Sequence, residues 1–413
     1  MTSRQQQWAR LRRQLWQPPR PHGEQPRERV VGPLELFYDL VVVVLVAQAA
    51  QHLAGDLDWH GLGLFAAVFA LVWIAWLNGS LHHALHGRED ARGRSMFLLQ
   101  ILVLVPLGAF IPDAGGGRGF AFAVDAGVLF AVLALLWLLA ARGDTPEYRR
   151  PSMLFVTGTA VCAVVLGASA ALPAGARVLT WGLLALAYLV GFVFVIGRAI
   201  PERAVGLSVT DALAERFGLF IIIVLGENVT GVVEGLAHES SNVLTLAVGL
   251  VAVVVGFGSW WTYFDFAGHR LPRPTRTGTV QWMLVHLPLT AAVAAMGAAM
   301  VDLVEYAHES RTPAATAWVL CTGAAVVLCM TMVLASSLRV WHKDRRLYRP
   351  LARTCVAAAV VCLAVGAARP APLVLGLALT LLFGIPWGLA VVNRLSNDVQ
   401  PAAEEAPETS GSA

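Results

Sequence analysis

The chain has 413 residues, 57% of them hydrophobic and only 14% charged, with a formal net charge of +3 and a mean hydropathy of +0.65. Soluble domains carry about 25% charged residues, and a single apolar core stops growing at about 250–300 residues, so one soluble globule is excluded. So small a net charge gives no reason to expect nucleic acid as a partner; long apolar runs separated by short Arg-rich stretches demand a lipid bilayer.

In chain order, residues 1–32 hold seven of the 30 Lys and Arg residues and no apolar signal-peptide core. Trp8, Leu11, Leu15 and Trp16 share one helical face beside Arg10, Arg12 and Arg13, the pattern of a helix lying on an anionic leaflet, with a basic disordered tail as the alternative. Runs of about 20 apolar residues then predict spans near 33–53, 60–82, 95–112, 119–141, 151–172, 176–197, 211–233, 242–266, 279–302, 313–337, 350–368 and 371–392. The expected fold is all-α: a polytopic transmembrane bundle of about twelve spans, with a first half over 33–197, a cytoplasmic linker over 198–210 and a second half over 211–392. Residues 393–413, acidic and rich in Pro and Ala, read as a disordered tail. Counted on this layout, 25 of the 30 Lys and Arg residues fall on the side of the N-terminus and four, Arg118, Arg177, Arg311 and Arg369, on the other. The positive-inside rule then places both termini in the cytoplasm.

The two halves carry matching marks. Glu35-Leu-Phe-Tyr-Asp-Leu opens span one and Glu215-Arg-Phe-Gly-Leu-Phe opens span seven. Gln48 and Asn228 follow thirteen residues later in each, Trp73 and Trp76 correspond to Trp260 and Trp261, and Gln100 corresponds to His286. Six spans per half predict two six-helix parallel repeats, related by an axis along the membrane normal. The segments Glu35–Leu40 followed by Gln48, and Ala214–Glu227 (AERFGLFIIIVLGE), together with the Trp260–Asp265 segment (WWTYFD), resemble the signatures of the bacterial low temperature requirement A family. The resemblance covers most of residues 33–392. It implies a polytopic protein of the bacterial cell membrane and a phenotype, growth at low temperature in some bacteria, rather than a substrate.

An ionised side chain at mid-bilayer costs about 2.5–3.5 kcal/mol on insertion scales, so each one needs a partner, a hydrated cavity or a use. Glu35 and Asp39 lie one helical turn apart on one face, and two carboxylates that close do not both ionise cheaply in a low dielectric. Glu215 and Arg216 point about 100° apart and are poor partners for each other, so each is expected to pair across helices, Arg216 with Asp39 or Glu35 where the halves join. That pair reads either as a lock or as part of a pathway. Glu227, beside Asn228 and about 18 Å along the same helix from Glu215 at 1.5 Å per residue, is the best single candidate for a proton- or cation-binding carboxylate. Asp265, His286 and Gln48 complete the candidate pathway. His82 and His86 share a face, but headgroup-level histidines are ordinary and no metal is expected. Gly384 and Gly388, a GxxxG pair in span twelve, read as helix packing.

The five cysteines, Cys162, Cys321, Cys329, Cys355 and Cys362, all fall in apolar runs without CxxC spacing and read as small packing residues. The chain carries no HExxH, no Ser-His pair and no phosphate-binding Gly loop, so an enzyme is not expected, nor a cofactor. The leading expectation is a secondary transporter or ion pathway for a small solute or ion, with a homo-oligomer as a further candidate assembly. The alternative is a non-transport membrane-stress sensor or scaffold.

Overall fold

In hydrocarbon every backbone N–H and C=O must be satisfied within its own segment, which makes each apolar run helical. The computed structural model describes residues 17–21, 31–55, 57–88, 90–199, 209–238 and 242–399. Among them, twelve helices are long and apolar enough to cross a membrane. They are α1 (Pro33–Gly55), α2 (Trp59–His86), α3 (Ala91–Phe110), α4 (Gly119–Ala141), α5 (Pro146–Ser169) and α6 (Ala174–Phe194), then α7 (Asp211–His238), α8 (Val243–Phe266), α9 (Arg276–Glu305), α10 (Ala314–Ser337), α11 (Arg345–Ala368) and α12 (Pro372–Val399). A 3-10 turn, Ile111–Asp113, prolongs α3, a π turn, Val195–Ala199, prolongs α6, and a five-residue helix, Arg339–Lys343, follows α10. The proposed interfacial helix near Trp8, the inside of the 198–210 linker and the chain after Val399 lie outside the described residues.

Every predicted span is present, and most helices overrun the apolar run that announced them. The reason is local capping. Asp58, Asp90 and Asn242 each accept a hydrogen bond from a backbone N–H of the following turn, fixing the starts of α2, α3 and α8 in polar sequence. At the other end, α12 continues to Val399, although a disordered tail was expected from residue 393. No Gly or Pro interrupts the chain between Gly388 and Pro401, so helical hydrogen bonding carries on past the apolar run.

A common set of helix packings recurs in the two halves, although α8 also packs on α9 and α10 touches α12 without counterparts in the first half. In the first, α1 packs on α2 and α3, then α3 on α4, α4 on α5 and α5 on α6, while α6 returns to α2. In the second, α7 packs on α8 and α9, then α9 on α10, α10 on α11 and α11 on α12, while α12 returns to α8. Between the halves, α1 lies against both α7 and α9, and α2 touches both.

Close helix approach comes from small residues, but not from the pair expected. Gly384 and Gly388 have nothing within 4 Å of an added Cβ, so they do not pack against other helices of this chain. A second GxxxG pair does. Gly231 of α7 lies so close to α9 that an added Cβ would stand 2.3 Å from the Gly297 carbonyl oxygen, and at Gly235 it would stand 2.9 Å from the Val301 carbonyl oxygen. The membrane helices offer two GxxxG pairs, and only the tertiary arrangement selects the one that is buried.

Candidate functional site

The ends of α1, α2 and α7 meet near the face that carries the Arg-rich loops. There Asp39, fully buried, receives Arg216, 2% exposed, from across the junction of the halves. The contact is bidentate. Arg216 Nε donates to Asp39 Oδ1 at 3.0 Å and Oδ2 at 2.9 Å, and Nη2 donates to Oδ1 at 2.7 Å. Fork-on-carboxylate geometry of this kind is the strongest form of ion pair available to side chains. Trp76 of α2 adds a third donor, its indole Nε1 lying 2.7 Å from Asp39 Oδ1. The guanidinium also stands 5.5 Å from the Tyr38 ring centroid, in cation–π range.

Glu35 joins one turn away. Its Oε1 lies 3.7 Å from Arg216 Nη1 and 3.4 Å from His83 Nε2, and its Oε2 accepts the backbone N–H of Gly32 at 2.8 Å. Helical spacing puts Glu35 and Asp39 on the same face, so one guanidinium bridges both carboxylates. The result is a chain of ionisable groups, His83–Glu35–Arg216–Asp39, running from the Arg-rich face into the protein.

Aromatic rings seal this chain from above. Trp76 stacks on Phe220 with centroids 4.2 Å apart and meets Phe217 edge-on at 4.9 Å. Phe217 in turn contacts Trp282 and His286, both at 4.7 Å. His286 is buried and held by two partners: its Nδ1 is 2.6 Å from the Trp282 carbonyl and its Nε2 is 3.1 Å from the Tyr263 hydroxyl. His286 is therefore one ring removed from the ionic chain. Beyond the rings, Val42, Val43, Leu45 and Val46 of α1 face the junction together with Ile221 and Val224 of α7, all buried.

The other predicted residues divide. Gln48 and Gln51 lie on α1 beyond that apolar stretch, their amides 3.4 Å apart, and Gln51 donates to Glu234 of α7 at 3.2 Å. Glu227 is half-buried two turns below Glu234, and a separation of nine positions places Gln48 about 14 Å along α1 from Asp39 at 1.5 Å per residue. Asn228 is 1% exposed, wedged between Gly256 of α8 and Gly297 of α9, and neither end of its amide has a partner among the described residues. Glu215 is half-buried and forms no ion pair among the described residues. Asp265 does not join the cluster. It accepts from Trp261 Nε1 at 2.9 Å within its own helix, and Trp261 packs on Trp387 of α12. The i, i+4 spacing of Trp261 and Asp265 supplies the reason.

Three parts of the site carried no sequence signal. Trp76 stands out as an aromatic of α2, but nothing in its spacing names Asp39 as its partner. His83 looks like a headgroup histidine and instead holds Glu35. Asn78 and Tyr188 are joined by a 2.7 Å hydrogen bond between α2 and α6 with no local pattern linking them. The Trp76 contact has a measurable weight: Trp76→Phe keeps the ring and removes one donor to a charged acceptor, an interaction worth about 1.5–3 kcal/mol. The expected result is a lowered thermal midpoint in detergent with the fold retained, and an unchanged midpoint would show that the indole N–H contributes nothing.

Fold and site together define a polytopic helical membrane protein with a dry ion pair between the helices that open its two halves. The sequence model of the bacterial low temperature requirement A protein (LtrA) family matches residues 30–385. The chain belongs to that family. Among curated proteins it is similar to "Uncharacterized protein RA0937" of Rhizobium meliloti (strain 1021), 26% identical over 286 residues, which are 63% of this chain and 66% of the relative.

Proposed function

We propose that the protein is a secondary transporter of the bacterial inner membrane, built as two parallel six-helix repeats, that moves a small solute or ion by breaking and remaking the ionic cluster between its halves. The observation that carries this reading is the buried Arg216, shared by Asp39 and Glu35 of the opposite half. The helix packings common to the two halves support the repeat, and a site between repeats is where such architectures bind and rock. The Lys and Arg distribution supports cytoplasmic termini, which makes the ionic chain the cytoplasmic side. The apolar stretch between that chain and the Gln48, Glu227 and Glu234 group supports a carrier over an open channel, because no polar path joins the two among the described residues.

The test is flux into proteoliposomes of wild type, Asp39→Asn and Glu227→Gln, with inorganic ions and small metabolites as probes and intravesicular pH recorded. The reading expects wild-type flux reduced at least tenfold in Asp39→Asn, because a neutral amide releases Arg216. Equal flux in all three proteins removes the carboxylates from the mechanism. A second reading, a scaffold locked by the same ion pair, is favoured by how fully Asp39 is satisfied, with three donor atoms from two helices. It expects no flux in wild type and normal low-temperature growth when both charges are replaced together.

A further inference from the structure

At the Arg-rich face a cavity of about 50 Å³ opens between the ends of α2 and α3 and reaches inward to Gly79, with Gln17, Pro18 and Pro19 forming its roof. At its inner end unpaired polar atoms gather, some lining it and one, the Tyr38 hydroxyl, just behind Gly79. An added Cβ on Gly79 would stand 2.9 Å from both Gln100 Oε1 and the Tyr38 hydroxyl. Those two side chains are 3% and 0% exposed, and neither oxygen has a hydrogen-bond partner among the described residues. His82 Nε2, on the same wall, is equally without one. A buried polar atom left unpaired costs about 1–3 kcal/mol. Several such atoms around a space larger than the roughly 10–15 Å³ that one water needs mark a hydrated cavity rather than an empty one.

The cavity also touches the ionic chain, since His83 lines it and lies 3.4 Å from Glu35. Its roof is held at several points: Arg88 Nε donates to the Pro18 carbonyl at 3.0 Å, and Arg20 makes the most contacts with α2. The Arg20 guanidinium donates from Nη2 to the Ala84 carbonyl at 2.8 Å and from Nε to the Leu85 carbonyl at 3.3 Å. The Arg20 backbone N–H meets the His86 carbonyl at 3.0 Å. These are the last carbonyls of α2, which lack partners within the helix and carry its negative dipole end. Gln17 is tied at both ends, its N–H to Asp90 at 2.8 Å and its carbonyl to Arg92 at 3.1 Å.

We propose that this cavity is a hydrated vestibule through which protons reach Glu35 from the cytoplasm, and that the Gln17–Pro21 strap is its lid with Arg20 as the main latch. The proposal rests on the transporter reading and names the proton as its coupling ion. In the transfer, a proton carried into the vestibule as hydronium passes to Nδ1 of neutral His83, which lies beside Gly87 at the cavity wall, and leaves water behind. His83 passes the proton on Nε2 to Glu35 Oε1, so the imidazole ends neutral and the carboxylate ends as the acid. Arg216 is then left to Asp39 alone. The charged and titratable groups facing this route are Glu35 and Asp39 from α1, His82 and His86 from α2, Arg216 from α7, Asp144 beside His86, and Arg20, Arg88, Asp90 and Arg92 at the mouth.

The test uses the full chain with its five cysteines replaced, carrying Gln100→Cys on the cavity wall or Ser80→Cys as a buried neighbour outside it. Each is exposed in inside-out vesicles to 2-aminoethyl methanethiosulfonate, with labelling followed by intact mass. Gln100→Cys is expected to react at least tenfold faster than Ser80→Cys, and a further tenfold faster when Arg20→Ala frees the lid. Equal slow labelling of both positions, with and without Arg20→Ala, overturns the vestibule. For the proton route, Gly79→Val fills the cavity and is expected to cut proton uptake into proteoliposomes tenfold, with a lowered thermal midpoint because its Cβ would stand 2.9 Å from Gln100 Oε1 and the Tyr38 hydroxyl; where it fails to fold, Gln100→Leu serves in its place. Undiminished uptake in the folded variant overturns the route. Absence of uptake in wild type overturns the transporter reading instead, while rapid Gln100→Cys labelling would still stand for the vestibule.

Discussion

Arg216→Ala is expected to destabilise the protein by about 3–5 kcal/mol, because it leaves the Asp39 carboxylate buried with its counter-ion gone. Asp39→Ala should cost as much by stranding the guanidinium. Removing both charges together should not: Asp39→Leu combined with Arg216→Met fills similar volume without any ion to desolvate, and such exchanges are often neutral or stabilising. The charge-swapped double, Asp39→Arg with Arg216→Asp, is expected to recover only in part. Trp76 Nε1 donates to Asp39 at 2.7 Å and would face a guanidinium after the swap. Thermal midpoints in detergent give the four stabilities. Proteoliposome flux of the apolar double then separates the two roles of the pair. A stable, inactive double marks a working ion pair; a stable, active one marks a lock. Single variants as stable as wild type would mean that the pair is not the dry contact described.

Gly231→Leu is expected to abolish the native packing of α7 on α9. Overpacking a core with one or two methylenes costs about 1–3 kcal/mol where side chains can yield. Here the obstacle is the Gly297 carbonyl, 2.3 Å from the position of the new Cβ. Backbone cannot rotate aside, so the helices must separate, and they would take with them Asn228, wedged between α8 and α9 one turn away. Gly384→Leu and Gly388→Leu, with nothing within 4 Å of either added Cβ, should leave the thermal midpoint unchanged. Size-exclusion profiles and midpoints of the three variants decide. A monodisperse, wild-type-like Gly231→Leu protein would contradict the close approach of α7 and α9.

The helices were legible because lipid imposes one condition on all of them at once, and the alternation of Arg-rich loops gives their parity. The Arg216 contact with α1 was legible for a related reason: a cation in a span needs an anion, and α1 offers the carboxylates of Glu35 and Asp39 at a matching depth. Geometry beyond that was not. The indole of Trp76 finds Asp39 through the rotation of α2 about its axis, which composition does not encode. His83 reaches Glu35 for the same reason. The helix starts near Pro146 and Arg345 lie in polar sequence, where proline at the first helical position sets the former boundary and the Asp344 cap sets the latter, rather than hydropathy. Pro18, Pro19 and Pro21 favour an extended strand, but its docking on the last carbonyls of α2 depends on an Arg whose partners lie more than sixty residues away.

The apolar stretch between Asp39 and Gln48 has a consequence for rates. On the carrier reading, with Phe217, Phe220 and Val224 closing the seam at 1% exposure or less, a transported particle would advance only when whole helices rearrange, and collective motions of that kind take microseconds to milliseconds. Turnover is then bounded at roughly a thousand to a million events per second, far too slow and too quiet for single-molecule current steps. Electrical recordings from a planar bilayer should stay flat even while isotope uptake proceeds.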